Sequence, residues 1–183
     1  MPAPRSAETA RSTPRSTTAA GRDLVAVRDG GESGQIAWRF ATGAQVEVSA
    51  SVTPDGIISI GSDDGYQYGV GPDGGELWRV ATGDFTYSSS VATRSGLVVF
   101  GDNNGVVFVV DGRTGQVSVQ RQLERRNGSP DGIWSAPVVD AEGNIYLGTV
   151  SGHLEGLDPD GATRFDVATG GNLASYPALT PSG

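Results

Sequence analysis

Three stretches of the chain place glycine in one register. DGIISIGSDDGYQYGV begins at Asp55, SGLVVFGDNNGVVFVV at Ser95 and EGNIYLGTVSGHLEGL at Glu142. Gly56, Gly96 and Gly143 correspond, as do Gly61, Gly101 and Gly148, and then Gly65, Gly105 and Gly152. The offsets are 40 and 47 at each position. A period of this size marks a repeat architecture, in which each copy is one supersecondary unit that buries its apolar face against its neighbours. Upstream of the three copies lie VEVSASVTPDG, TYSSSVATRSG and IWSAPVVDAEG, and a fourth such piece, LASYPALTPSG, ends at Gly183. At the front, DLVAVRDGGESGQIAWRFATG matches only the second half of a unit. The expected units are therefore 22–43, 44–83, 84–124, 133–170 and 171–183, with an inserted loop at 120–132.

Each whole unit holds four apolar runs. In the second they are Val46–Val52, Ile57–Gly61, Tyr66–Val70 and Leu77–Ala81. The runs are too short for helices and are rich in Val, Ile and Tyr. The Asp-Gly and Asn-Gly pairs between them supply the positive φ of tight hairpins. Four antiparallel strands in roughly 40–45 residues make one β-propeller blade. The expected class is thus all-β, a propeller with about three complete blades and partial blades at each end. An aromatic recurs in the outermost strand as Trp38, Trp78 and Phe165, where it covers the gap to the neighbouring blade. Val119 stands there in the third unit, which predicts the weakest inter-blade contact.

Composition narrows the function. The formal net charge is −8, and all 13 basic residues are Arg. An acidic chain is repelled by phosphate backbones, which argues against a nucleic-acid partner. No run approaches the length of apolar sequence that a membrane span needs. With no Cys there is no disulfide framework, thiolate metal site or Cys nucleophile. Residues 1–21 are rich in Pro, Ser, Thr, Ala and Arg and bury too little apolar surface to offset ordering entropy, so a disordered tail is expected there. The tail has no apolar core, and no signal peptide is visible.

WSAPVVDAEGNIYLGTVSGHLEGLDPDG and YSSSVATRSGLVVFGDNNGVVFVVDGRTGQVSV resemble the pyrroloquinoline-quinone (PQQ)-type propeller repeat over about Arg22 to Gly183. The resemblance implies a quinoprotein-like ring of seven or eight blades and a periplasmic or extracellular setting. It also implies one of two functions. Some members are dehydrogenases that hold the quinone and a calcium ion on the propeller axis. Others are non-catalytic, such as scaffolds of outer-membrane barrel assembly. The chain lacks the adjacent cysteines of many of the dehydrogenases, and no motif supplies a calcium set or a general base. His153, the single histidine, reads as a half-exposed strand residue. The expectation is a non-catalytic protein-binding or scaffolding propeller with no catalytic, cofactor or metal residues. A fragment of a quinone- and calcium-dependent dehydrogenase is the alternative.

One connection departs from its siblings. Between the third and fourth units the Ala-Thr-Gly turn becomes QRQLERRNGSPDG, from Gln120 to Gly132, which gathers Arg121, Arg125 and Arg126. Connections between blades share a face with the turns from second to third strand, which carry Asp63, Asp64, Asp102 and Asn103. A basic loop on a rigid acidic scaffold is a candidate grip for an acidic partner. The strand count falls short of a ring. The expected reason is that the chain is part of a longer protein; a pairing of two copies or strand edges left open for a partner would also account for it.

Overall fold

The computed structural model describes residues 11–12, 21–31 and 33–180. The expected disordered tail lies outside the described residues, apart from Arg11–Ser12 and Gly21. The described chain forms four antiparallel sheets. The first contains β1 (Arg11–Ser12), β2 (Asp23–Asp29) and β3 (Gly34–Ala41). The second contains β4 (Ser51–Val52), β5 (Ile58–Ser62), β6 (Tyr66–Val70) and β7 (Glu76–Ala81). β8 (Val91–Ala92), β9 (Leu97–Gly101), β10 (Val106–Asp111) and β11 (Val117–Gln122) make the third. β12 (Val138–Val139), β13 (Ile145–Gly148), β14 (His153–Leu157) and β15 (Thr163–Ala168) make the fourth. Within each sheet the strands lie in chain order, an up-and-down meander. The whole is a partial β-propeller.

The register explains the twist of the blades. A β-bulge interrupts the third-to-fourth strand pairing at Gly69/Val70, Val109/Val110 and Gly156/Leu157, and at Ala26/Val27 in the first sheet. These are equivalent positions under the repeat. A bulge bends its strand and increases local twist, so each blade twists at the same place.

Among the described residues the apolar core is divided. Three apolar layers lie between successive sheets, as stacked repeats require. Leu24, Ile58, Ile60, Tyr68 and Val70 fill the first, with Trp38 and Phe40 against them. Trp78, Val98, Phe100, Phe108 and Val110 fill the second, where Phe100 and Phe108 stack at 5.0 Å. Val99, Val107, Leu123, Ile133, Ile145, Leu147 and Leu157 are among those filling the third.

The repeated glycines are sockets between units. A Cβ on Gly61 would sit 2.6 Å from Thr86, one on Gly101 2.7 Å from Ile133, and one on Gly148 2.5 Å from Leu173. In each case the intruding side chain opens the inner strand of the next unit. Only glycine lets that segment approach the sheet so closely.

The outer aromatics act at the rim. Trp38 Nε1 donates to the Pro72 carbonyl at 2.8 Å, and Trp78 Nε1 donates to the Gly112 carbonyl at 2.9 Å. Each indole also lies against a turn glycine of the following sheet, Gly74 and Gly115, both at positive φ. Val119 meets the corresponding Gly161, but it has no N–H to offer. Its cross-strand partner is Val109, whereas Trp78 and Phe165 are paired with Gly69 and Gly156. A large ring therefore lies over a glycine, and a small side chain over a valine. Phe165 is 37% exposed.

Candidate functional site

The 120–132 connection is a folded strap. Leu123 is buried, and its N–H donates to the Gly105 carbonyl at 2.9 Å. Arg126 and Ser129 exchange two backbone hydrogen bonds of 2.9 Å each. Between them Asn127 has φ 51° and Gly128 φ 80°. Two successive positive φ values are those of the tight primed turn that Asn-Gly favours. The strap ends where Ile133 N–H donates to the Asp102 carbonyl at 3.0 Å and Val150 N–H to that of Gly132 at 2.9 Å. Its two ends are thus stitched to the third and the fourth sheets.

Charge holds its middle. The Arg126 guanidinium contacts Asp166 and lies 3.4 Å from Glu155, 3.5 Å from Glu124 and 3.7 Å from Asp131. Its side chain is 21% exposed, while those of Glu155 and Asp131 are 3% and 1%. Asp131 also accepts hydrogen bonds from Ser151 N–H and Oγ. His153 Nδ1 lies 2.6 Å from Asp166 Oδ1. Contact with Asp166 raises the Arg126 pKa. Burial pushes Glu155 up, helped by the Asp166 charge and opposed by Arg126. Asp166 is lowered because His153 and Arg126 together outweigh its burial. One cation is thus committed to four carboxylates.

Beside the strap lies an open cleft of about 540 Å³. Asn103, Arg126, Pro130, Asp131 and Trp134 are among its lining residues. Trp134 Nε1 donates to Asn103 Oδ1 at 2.9 Å, and Asn103 Nδ2 donates to Asp84 at 3.3 Å. Of the residues singled out in the sequence, the structure brings Arg126 and Asn103 to this cleft. Arg125 is exposed on the strap. Arg121 sits apart on β11, with its Cβ near Gly161 of the fourth sheet. Asp64 belongs to the second sheet, where it accepts hydrogen bonds from Gly43 N–H and Tyr68 OH. Burial and that bond push Tyr68 up to about 12. Asp63 is raised by burial and by the charges of Glu47 and Asp64. Among the described residues, no group of three or more His, Asp or Glu side chains is placed to hold a metal ion.

Asp102 is fully buried. One carboxylate oxygen accepts Val106 N–H at 2.8 Å and the other has no partner. Ser62 and Thr149 occupy the equivalent positions. Burial raises its pKa to about 6 from 3.8. A raised folded-state pKa favours the protonated form, so its stabilising contribution is complete below the unfolded pKa and disappears as pH rises through the folded one. Stability should fall between pH 3.8 and about 6 from this group. The full difference corresponds to at most about 3 kcal/mol. Asp102→Asn should flatten that slope and stabilise the chain at neutral pH, as measured by denaturant unfolding across the window.

The sequence matches the family model of the outer membrane protein assembly factor BamB over residues 5–180. The chain belongs to the BamB family of PQQ-type propeller proteins. The crystal structure of BamB from Moraxella catarrhalis superposes with a TM-score of 0.67 at 19% identity, covering 85% of this chain and 52% of that one. A protein of unknown function from Bacteroides caccae gives a TM-score of 0.65 at 16% identity, covering 95% of this chain and 61% of that one. This BamB-family chain thus spans between half and about three fifths of those structures. No curated protein matches the sequence. Among the described residues no helix is long and apolar enough to cross a membrane.

Proposed function

We propose that this BamB-family chain is a non-catalytic, extracytoplasmic scaffold that binds a protein partner through the face bearing the 120–132 strap. The strap carries the reading. It replaces the short Ala-Thr-Gly turn of three sibling units, and it is held by Leu123, Arg126 and Asp131 rather than left as a loose insertion. Rigid presentation lowers the ordering cost of association. Arg125, Asn127 and Pro130 are exposed on the strap, and Asn127 and Pro130 line the cleft. The family's name, an assembly factor, fits a role in bringing proteins together.

A photo-crosslinking residue placed at Asn127 or Arg125, in the cell of origin, should give a discrete adduct of one partner. The same residue at Glu142 or Asp160, in turns on the opposite face, should not. Adducts from the opposite face alone, or none from the strap, would remove this reading.

A further inference from the structure

The alignment that places glycines in register also places Glu47, Tyr87 and Trp134 in register, the latter two directly after Thr86 and Ile133, which fill the sockets at Gly61 and Gly101. These three positions stand where the inner strand of each unit begins, on the face of the strap. Tyr87 and Trp134 meet edge to face at 5.9 Å and 72°. Phe85, two residues before Tyr87, extends the row with ring centroids at 6.1 Å. Phe85 and Trp134 are 45% and 41% exposed. Large aromatics side by side in solvent on an otherwise polar face mark a contact surface.

The charge beside the row has one sign. Burial raises the Tyr87 pKa most, and the charges of Asp63, Glu47 and Asp84 raise it further, so all three act on this ring. Asp84 directly precedes Phe85 and accepts Asn103 Nδ2–H at 3.3 Å, beside Trp134. Among the described residues no basic side chain pairs with any of these three carboxylates. Asp63 Oδ1 is buried and has no hydrogen-bond partner. Arg126, the nearby cation of the cleft, is already surrounded by Glu155, Glu124, Asp131 and Asp166. An aromatic row with unneutralised carboxylates at its margin is complementary to a planar cation, which stacks on the rings while its N–H groups reach the acids. The chain uses this chemistry internally, where Arg79 lies over the Tyr66 ring at 5.3 Å.

We propose that the Phe85–Tyr87–Trp134 row, with Glu47, Asp63 and Asp84, receives an extended arginine-bearing segment of the protein partner. This inference rests on the scaffold reading and names the chemistry of what the scaffold grips.

The test is calorimetric titration of the folded chain with an acetylated, amidated peptide of three Gly-Arg repeats at physiological salt. Its Gly-Glu counterpart serves as the control. The arginine peptide should bind with a dissociation constant on the order of 100 μM, and the glutamate peptide should not bind. Trp134→Ala should weaken binding about fivefold to tenfold, while Trp134→Phe, which keeps an aromatic face, should retain most of it. The pair Glu47→Gln with Asp63→Asn should weaken binding and reduce its salt dependence. The pair Glu142→Gln with Asp160→Asn, on the opposite face, should leave both unchanged. Four results would overturn the inference: no binding at millimolar peptide, equal binding of the glutamate peptide, full binding by Trp134→Ala, or equal loss from the two acidic pairs. If Asn127 still crosslinks to a partner in such a case, only this inference fails and the scaffold reading stands. If the peptide binds as expected but no strap position crosslinks to a protein, the scaffold reading fails instead.

Discussion

Trp78→Ala is expected to destabilise the chain by about 3–5 kcal/mol, the usual cost of emptying a large buried aromatic site. Trp78 is 7% exposed and joins the second sheet to the third. The substitution removes the ring from above Gly69, opens the space against Gly115 and leaves the Gly112 carbonyl without its indole donor. The two faces bounding that space belong to different sheets, and collapse would require blades to shift. Trp78→Phe separates the contributions. It keeps most of the apolar area and loses the hydrogen bond, so a cost of about 1–2 kcal/mol is expected. Denaturant titration followed by circular dichroism measures both. A loss below about 1 kcal/mol for Trp78→Ala would show that the rim aromatic is not what ties these blades together.

Arg126→Ala is the second large effect. It leaves Glu155 and Asp131 buried and facing Asp166 with no cation between them. Removing one partner of a buried pair costs more than the pair contributes, because the remaining charge stays desolvated. The 21% exposure of Arg126 allows some solvent screening, which places the expected loss at about 2–4 kcal/mol. The loss should be greatest at neutral pH and smaller in acid, where Glu155 takes up a proton. Adding Glu155→Gln should restore part of the stability. Hydrogen exchange should show residues 123–132 opening while the β9–β10 pairing keeps its protection. Uniform loss of protection across all sheets would mean that the strap is integral to the blades rather than held onto them.

Much of the architecture was legible in the chain because the repeat fixes both spacing and direction. Gly61, Gly101 and Gly148 share a register because each must admit the opening residue of the next unit. The Trp38 and Trp78 contacts follow from one position in one strand, repeated. The exchange of Trp78 over Gly69 for Val119 over Val109 was also written in the sequence. It needs the bulged register to pair those residues, and apolar periodicity alone does not supply a bulge.

The strap was legible as an insertion but not in its internal order. Arg126 reaches Glu155 and Asp166 across separations of 29 and 40 residues, and no local pattern encodes which of three neighbouring arginines turns inward. The aromatic row went unread for a different reason. Glu47, Tyr87 and Trp134 are chemically unlike one another, so the repeat conceals their equivalence unless register is followed through unlike residues. Tracking the residues after Thr86 and Ile133, and the equivalent position one unit earlier, is the signal that finds them.

Binding of a protein partner on the strap face is tested most directly by hydrogen exchange on the chain with and without the partner that Asn127 crosslinks. Binding should slow exchange at residues 123–134 and 84–88 and leave the turns at 55–57, 94–96 and 141–143 unchanged. Protection confined to those opposite turns, or no change on the strap, would place the partner elsewhere and leave the strap a structural brace between two blades.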